Sequence, residues 1–329
     1  MNTKEGWTKH KHDIVQLRVP VPFSLRWVNS YLLKDKAGYT MIDPGLHTEA
    51  AVLFWHRAKQ ELGFEWSSIK RIIITHQHPD HYGLAGYMQQ LTKAPVYISS
   101  CANAYTEKLW GSQTSFHMEM RSLLFSHGVD ESLIDGIIDN LAWFNQRVQP
   151  RPEVTYISPS DAVEIDGYNW RLIEVQGHAN GQLMLYDEAR LLMLCGDQVL
   201  PNITPHVGVV PGEIGEPLEQ FLKSLASIKA IPVNMVYPGH REPFEHWEKR
   251  IEEIIEHHQR RLQSIVDYVS EQKQINAFQC CNWLFGNHLH EQPQQLRFAM
   301  TEVIAHLEYL VQHKKLKSIN NNGQIAYQL

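Results

Sequence analysis

Four side chains able to bind a metal lie within six positions of one another: His76, His78, Asp80 and His81, in the stretch Ile-Ile-Ile-Thr-His-Gln-His-Pro-Asp-His-Tyr-Gly that spans residues 72–83. Imidazole nitrogen and carboxylate oxygen are the donors a divalent transition metal such as zinc takes at about 2.0–2.2 Å. The apolar run Ile72 to Thr75 predicts a strand, and a rigid strand end followed by a tight turn can aim several donors at one point. Residues two apart in extended chain share a side, which groups His76 with His78. Pro79 turns the backbone before Asp80 and His81. Two ligand pairs can therefore face two ions, the arrangement of a two-metal hydrolase with ions roughly 3.5–4 Å apart.

Three later positions extend the set. His178 follows Val175-Gln176-Gly177, Asp197 follows Leu194-Cys195-Gly196, and His240 follows Val236-Tyr237-Pro238-Gly239. Each is preceded by glycine, which lets a chain pass close to a metal. His206, nine residues after Asp197, is a candidate for the pocket lining, and Tyr82, beside His81, is a candidate for either the site or the core. His288-Leu289-His290 repeats the His-x-His spacing without a following Asp-His. His257 and His258 are expected on the solvated side of a helix.

The succession HxHxDH, GH, GD, PGH resembles the metallo-β-lactamase fold superfamily, in its hydroxyacylglutathione-hydrolase-like branch. The resemblance implies an α/β fold, a four-layer αββα sandwich, over residues 1–245 and a small winged-helix-like C-terminal domain over 246–329; the helical insert that the pattern places at about 102–149 is not part of the family's minimal fold. It implies two divalent metal ions, zinc in the first instance and iron or manganese as alternatives. His76, His78 and His178 would hold the first and Asp80, His81 and His240 the second, with Asp197 bridging. Asp43, in Ile42-Asp43-Pro44-Gly45, resembles the family's Asp-x-Gly turn, in which the Asp orients a ligand. Relatives commonly carry Ser or Thr after the third His, where this chain has Ala179.

The implied chemistry is attack by a hydroxide formed between the ions, since two cations pull the pKa of a bridging water from about 15.7 toward 7. Asp80 would both bind metal and handle protons. A small ester, thioester or lactone is the expected substrate. Two alternatives use the same residues: a phosphodiesterase or ribonuclease, and a non-hydrolytic di-iron redox protein.

The elements that must position these residues are legible as alternating patterns. Strands are predicted at 13–19, 28–33, 39–43, 72–75 and 96–99, with helices at 48–62 and 84–91 between them. Residues 102–149 carry three helix-like pieces rich in Met, Leu, Phe and Trp, a lid able to wall an apolar pocket. Strands at 154–157, 162–165, 170–175, 182–186 and 191–195 predict a second sheet. A long amphipathic helix follows at 247–270, then helices at 277–284 and 293–313 and a hairpin at 316–319 and 324–329 turning on Asn-Asn-Asn-Gly.

Composition narrows the function class. The chain has 329 residues, 43% of them hydrophobic, and a net charge of −6 without like-charged tails, so nothing marks it as a polyanion binder. From His246 onward nine Lys and Arg meet nine Asp and Glu, which argues against DNA binding by the C-terminal unit despite the local cluster Lys314, Lys315 and Lys317. Packing on the catalytic domain, or an interface in a homodimer, is the expected use. Four cysteines lie outside any paired framework, and no apolar run approaches the roughly 20 residues of a membrane span. With a polar N-terminus, these features predict a cytoplasmic protein that meets a small-molecule substrate and no membrane.

Overall fold

A computed structural model describes residues 6–111, 115–212 and 215–329, and among these the strands form three sheets. The first contains β1 (Trp7–Lys9), β2 (Ile14–Pro20), β3 (Trp27–Asp35), β4 (Gly38–Ile42), β5 (Ile69–Ile73), β6 (Val96–Ile98) and β7 (Val154–Tyr156), side by side in chain order. Strands β1 to β4 meander antiparallel, and β5, β6 and β7 are added parallel. Each parallel addition needs a crossover. These are α1 (Glu49–Leu62), the pair α2 (Pro79–Tyr82) and α3 (Ala85–Thr92), and the three-helix insert α4 (Ser100–Trp110), α5 (Phe116–Ser126) and α6 (Glu131–Gln146).

The second sheet contains β8 (Ala162–Ile165), β9 (Tyr168–Val175), β10 (Gln182–Asp187), β11 (Leu192–Gly196) and β12 (Met235–Pro238), in the order β12-β11-β10-β9-β8. Helix α7 (Pro217–Ile228) makes the crossover between parallel β11 and β12. Strand 154–157, expected in this sheet, instead closes the edge of the first: Val154 to Tyr156 pair in parallel with Val96 to Ile98. The insert therefore leaves and re-enters the same sheet.

Period-two alternation builds the layers. In β3, Tyr31 and Leu33 join a core between the sheets with Leu183, Leu185, Leu192 and Leu194, whereas Val28 and Leu32 face the helices with Trp55 of α1. Both faces of both sheets are thus covered, giving the expected four-layer sandwich. Helix α1 illustrates the local logic: Thr48 Oγ1 caps Ala51 N at 3.2 Å, Gly63 closes the helix at φ 70°, and Ala51, Phe54, Trp55 and Ala58 form the buried stripe.

The C-terminal unit comprises α8 (Trp247–Gln272), β13 (Gln274–Ile275), α9 (Ala277–Phe285), α10 (Pro293–Gln312), β14 (Lys317–Asn321) and β15 (Gln324–Gln328), its sheet ordered β13-β15-β14. Asn322 and Gly323 take positive φ at the hairpin, the two-residue turn that right-twisted strands favour. His258 is fully buried rather than solvated, and its Nδ1 lies 3.0 Å from His306 Nε2. The stripe Ile251, Ile254, His258, Leu262, Ile265 and Val269 includes it at helical spacing. His290 bonds Asn282 at 2.8 Å, and the His288-Leu289-His290 pair joins no cluster of ligand type among the described residues. No described helix is long and apolar enough to cross a membrane.

Candidate metal centre

The candidate ligands converge because they follow strands that end at one rim. Asp43 comes after β4, His76 after β5, His178 after β9, Asp197 after β11 and His240 after β12. His78 stands just before α2, Pro79 opens that helix, and one turn presents Asp80 and His81. Thr75 joins the sheets at this rim, its carbonyl accepting from Leu183 N at 2.9 Å.

Ring nitrogens not facing the site fix the tautomers. His178 Nδ1 donates to His206 O at 2.8 Å, His240 Nδ1 to Trp27 O at 3.1 Å, and His81 Nδ1 to Asp43 Oδ2 at 2.8 Å. Thr75 Oγ1 donates to Asp43 Oδ2 at 2.6 Å, so it accepts from His76 Nδ1 at 2.9 Å. The Nε2 atoms of these four rings consequently point inward, where His78 offers Nδ1.

Two trios result, His76 with His78 and His178, and Asp80 with His81 and His240. Asp197 lies between them. Its Oδ2 is 3.4 Å from His81 Nε2, 3.3 Å from His240 Nε2 and 3.7 Å from His178 Nε2, while His240 Nε2 is 3.2 Å from Asp80 Oδ2. Donors held at about 2.0–2.1 Å around one tetrahedral ion stand roughly 3.3–3.4 Å apart, so these separations match edges of a coordination shell. His81 Nε2, His178 Nε2 and Asp197 Oδ1 are also sealed from solvent without a hydrogen-bond partner. Buried polar atoms are rarely left in that state. The residues fit metal ions.

A third trio, Asp43 with His76 and His81, is equally close, but both carboxylate oxygens of Asp43 are already engaged by hydrogen bonds. Asp43 Oδ1 accepts from Thr75 N at 2.7 Å, and Oδ2 accepts from both Thr75 Oγ1 and His81 Nδ1. Asp43 is thus placed to hold His81 directly and His76 through Thr75.

Charge follows the same division. Burial and the neighbouring imidazoles hold His76 and His78 well below the usual histidine range. Burial also disfavours charge on His81 and His240, but the carboxylates around them outweigh it, leaving His81 well raised and His240 at about 10. Burial pushes Asp80 up and the cationic His81 and His240 pull it down further, to about 2. In the metal-free protein, protons on two imidazoles thus offset carboxylate charge that cations offset when bound.

Glycine has different reasons at different ligands. A Cβ on Gly239 would lie 2.2 Å from Asp197 Oδ1 and 2.7 Å from His81 Cε1, so this position must be bare for the site to exist. At Gly177 the close approach is to Phe221 of α7, with φ 104°, and concerns packing rather than the metals.

Residues 26–240 match the family described as the metallo-beta-lactamase superfamily, a span that takes in all seven candidate ligands and Asp43. The chain belongs to that superfamily. Residues 262–328 match a second family, described as the metallo-beta-lactamase-like C-terminal domain. A Bacillus subtilis protein named as a probable metallo-hydrolase, YqjP, is 26% identical over 314 residues, covering 93% of this chain and 94% of the relative. A solved metallo-beta-lactamase family protein from Thermus thermophilus superposes with a TM-score of 0.86 at 29% identity, covering 96% of this chain and 98% of that one. A beta-lactamase domain protein from Burkholderia ambifaria also superposes at 0.86, with 26% identity over 100% of this chain and 95% of that one. As a superfamily member with a His/Asp cluster able to bind metal, the protein is a metal-dependent hydrolase.

Above the cluster lies a cavity of about 290 Å³. Leu109, Trp110, Phe116, Met120, Leu141 and Phe144 of the insert form its apolar wall, the role expected of a lid. His206 lines it too, and also acts through its carbonyl on His178; its ring, 3.1 Å from both Phe298 O and Thr301 Oγ1, ties the site to α10. Tyr82 is buried in the core and does not line the cavity. Sequence reasoning missed Gln294, Arg297, Phe298 and Thr301, a stripe of α10 on the cavity wall. Only their spacing of three and four marks them, and that is shared by any helix face.

Proposed function

We propose that this metal-dependent hydrolase uses two ions, zinc, to open a small ester, thioester or lactone, as in the hydroxyacylglutathione-hydrolase-like branch of its superfamily. One observation carries the reading: two ligand trios share an Asp197 oxygen at the base of an enclosed, largely apolar cavity. His76, His78 and His178 would hold one ion and Asp80, His81 and His240 the other. Bound ions would supply an acidified water and a Lewis acid for the substrate oxygen. Asp80, which lines the cavity and stays ionised, would accept a hydrogen bond from the attacking water and receive its proton. The insert supplies the apolar wall beside the reacting centre. A cavity of about 290 Å³ sits at the small end of ligand pockets and suits a small molecule better than a nucleic-acid strand.

Protein purified without added metal should contain two zinc ions per chain, by elemental analysis, and should turn over acyl thioesters or lactones. Dominance of a coloured, reducible iron centre, or activity on bis-nitrophenyl phosphate alone, would defeat the proposal. His78→Ala should lose metal and nearly all turnover while circular dichroism stays unchanged.

A further inference from the structure

The cavity contains a cation that the hydrolytic centre does not use. Arg297 is the only Lys or Arg on its wall among the described residues. Among the described residues no carboxylate lies within ion-pair distance of it and its guanidinium makes no hydrogen bond, although Nε is sealed from solvent. The adjacent Phe298 ring, 4.4 Å from Cζ, partly offsets its desolvation. Burial lowers its pKa only to about 10, so it is charged at neutral pH. His206 nearby is pushed down to about 3 by burial, His178 and Arg297 itself, and adds no charge. A half-buried charge whose Nε is sealed from solvent is costly to leave unpaired unless something else fills its donors. Gln294, one turn earlier on the same face, adds an amide.

We propose that Arg297 is an anion anchor, and that the substrate carries a carboxylate or phosphate group at the end remote from the scissile bond, with an apolar stretch against the insert. This rests on the hydrolase reading for the scissile end alone. The guanidinium fork would take the anion through paired N–H donors, fixing the acyl chain across the cavity with its reacting carbonyl over the ligand cluster.

Two measurements test it. Nitrophenyl esters of matched acyl length, ending in methyl, carboxylate or phosphonate, are compared on the metal-loaded protein. One anionic ester should exceed the methyl-ended one in kcat/KM by about tenfold, mainly through KM, and Arg297→Gln should abolish that preference while Arg297→Lys keeps part of it. Whichever anion is preferred identifies the terminal group. Calorimetric titration with monocarboxylates against dicarboxylates of four to eight carbons reads the anchor without turnover. Some dicarboxylate should bind about tenfold tighter than its monocarboxylate in the wild type and lose that advantage in Arg297→Gln. If no ester reacts but this advantage holds, the anchor stands and the ester reading falls. Equal affinity at every length, or an advantage that survives in Arg297→Gln, overturns the proposal. Unchanged metal content and melting temperature in the variants establish that they are folded.

Discussion

Asp43 bears on the ligand cluster through hydrogen bonds, because Thr75 and His81 engage both of its oxygens. Its φ of 50° is one that Asp and Asn tolerate, so Asp43→Asn keeps the backbone and removes the charge that orients His81. Metal affinity should fall by about 10–100-fold in chelator competition, with little change in fold. Two glycines offer a matched contrast. Gly239→Ala would push a methyl into Asp197 and His81 at a permissive φ and should lose bound metal on dialysis against chelator while the protein stays folded. Gly177→Ala would place a methyl 2.4 Å from the Phe221 backbone at φ 104°, and should instead lower unfolding stability by about 2 kcal/mol or more, read from denaturant midpoints. The residues of the cluster were legible because strand-end donors in close succession admit few other uses. Arg297 was not, since an arginine in a helix becomes informative only when its surroundings show no partner.

Elements reveal how burial overrides residue type. His258 is polar and was assigned to solvent, yet its position in the stripe of α8 faces α10. The tautomers there are determined: His306 Nδ1 donates to Glu302 O at 2.7 Å, so His306 Nε2 accepts from His258 Nδ1, and His258 Nε2 is left sealed and unpartnered. Any added proton is therefore unwelcome, and burial with neighbouring cationic groups lowers His258 to about 2 and His306 to about 3. Unfolded histidine takes a proton near pH 6.5, so the unfolded state binds more protons below that value and stability falls with pH. Between pH 6.5 and 5.5 each ring should cost about 1 kcal/mol. His306→Gln should flatten the acid limb by about that amount, measured as the difference in unfolding free energy between the two pH values. Pairing was the harder thing to read at this scale. The strand pattern at 154–157 was recognisable, but its partner β6 lies across the whole insert, and nothing local distinguishes the two sheets. Short β13 went unnoticed because two residues carry no period.

At the scale of the whole molecule, the cavity belongs to three segments that share one hydrophobic core, from Leu17 and Trp55 through Phe116 and Leu141 to Met300 and Tyr327. The C-terminal unit grips the insert directly. Phe278 N donates to His127 O at 3.1 Å, Gln324 Nε2 donates to Phe125 O at 3.0 Å, and the buried Tyr327 hydroxyl lies 3.1 Å from His127 Nε2 while donating to Glu308 Oε1 at 2.6 Å. His127 Nδ1 in turn bonds Leu123 O at 2.8 Å, so its Nε2 is the acceptor side and Tyr327 must divide one proton between two acceptors. Tyr327→Phe leaves shape intact and both acceptors short of a donor, which should cost about 1–3 kcal/mol of stability. The site's ligands lie on other strands, so metal stoichiometry should not change. Loss of hydrogen-exchange protection should spread from β15 to α5, and KM should rise because α5 supplies Phe116 and Met120 to the cavity wall. Exchange that quickens only within residues 317–328 would mean that the C-terminal unit is merely appended, and that the insert stands over the metal centre without its support.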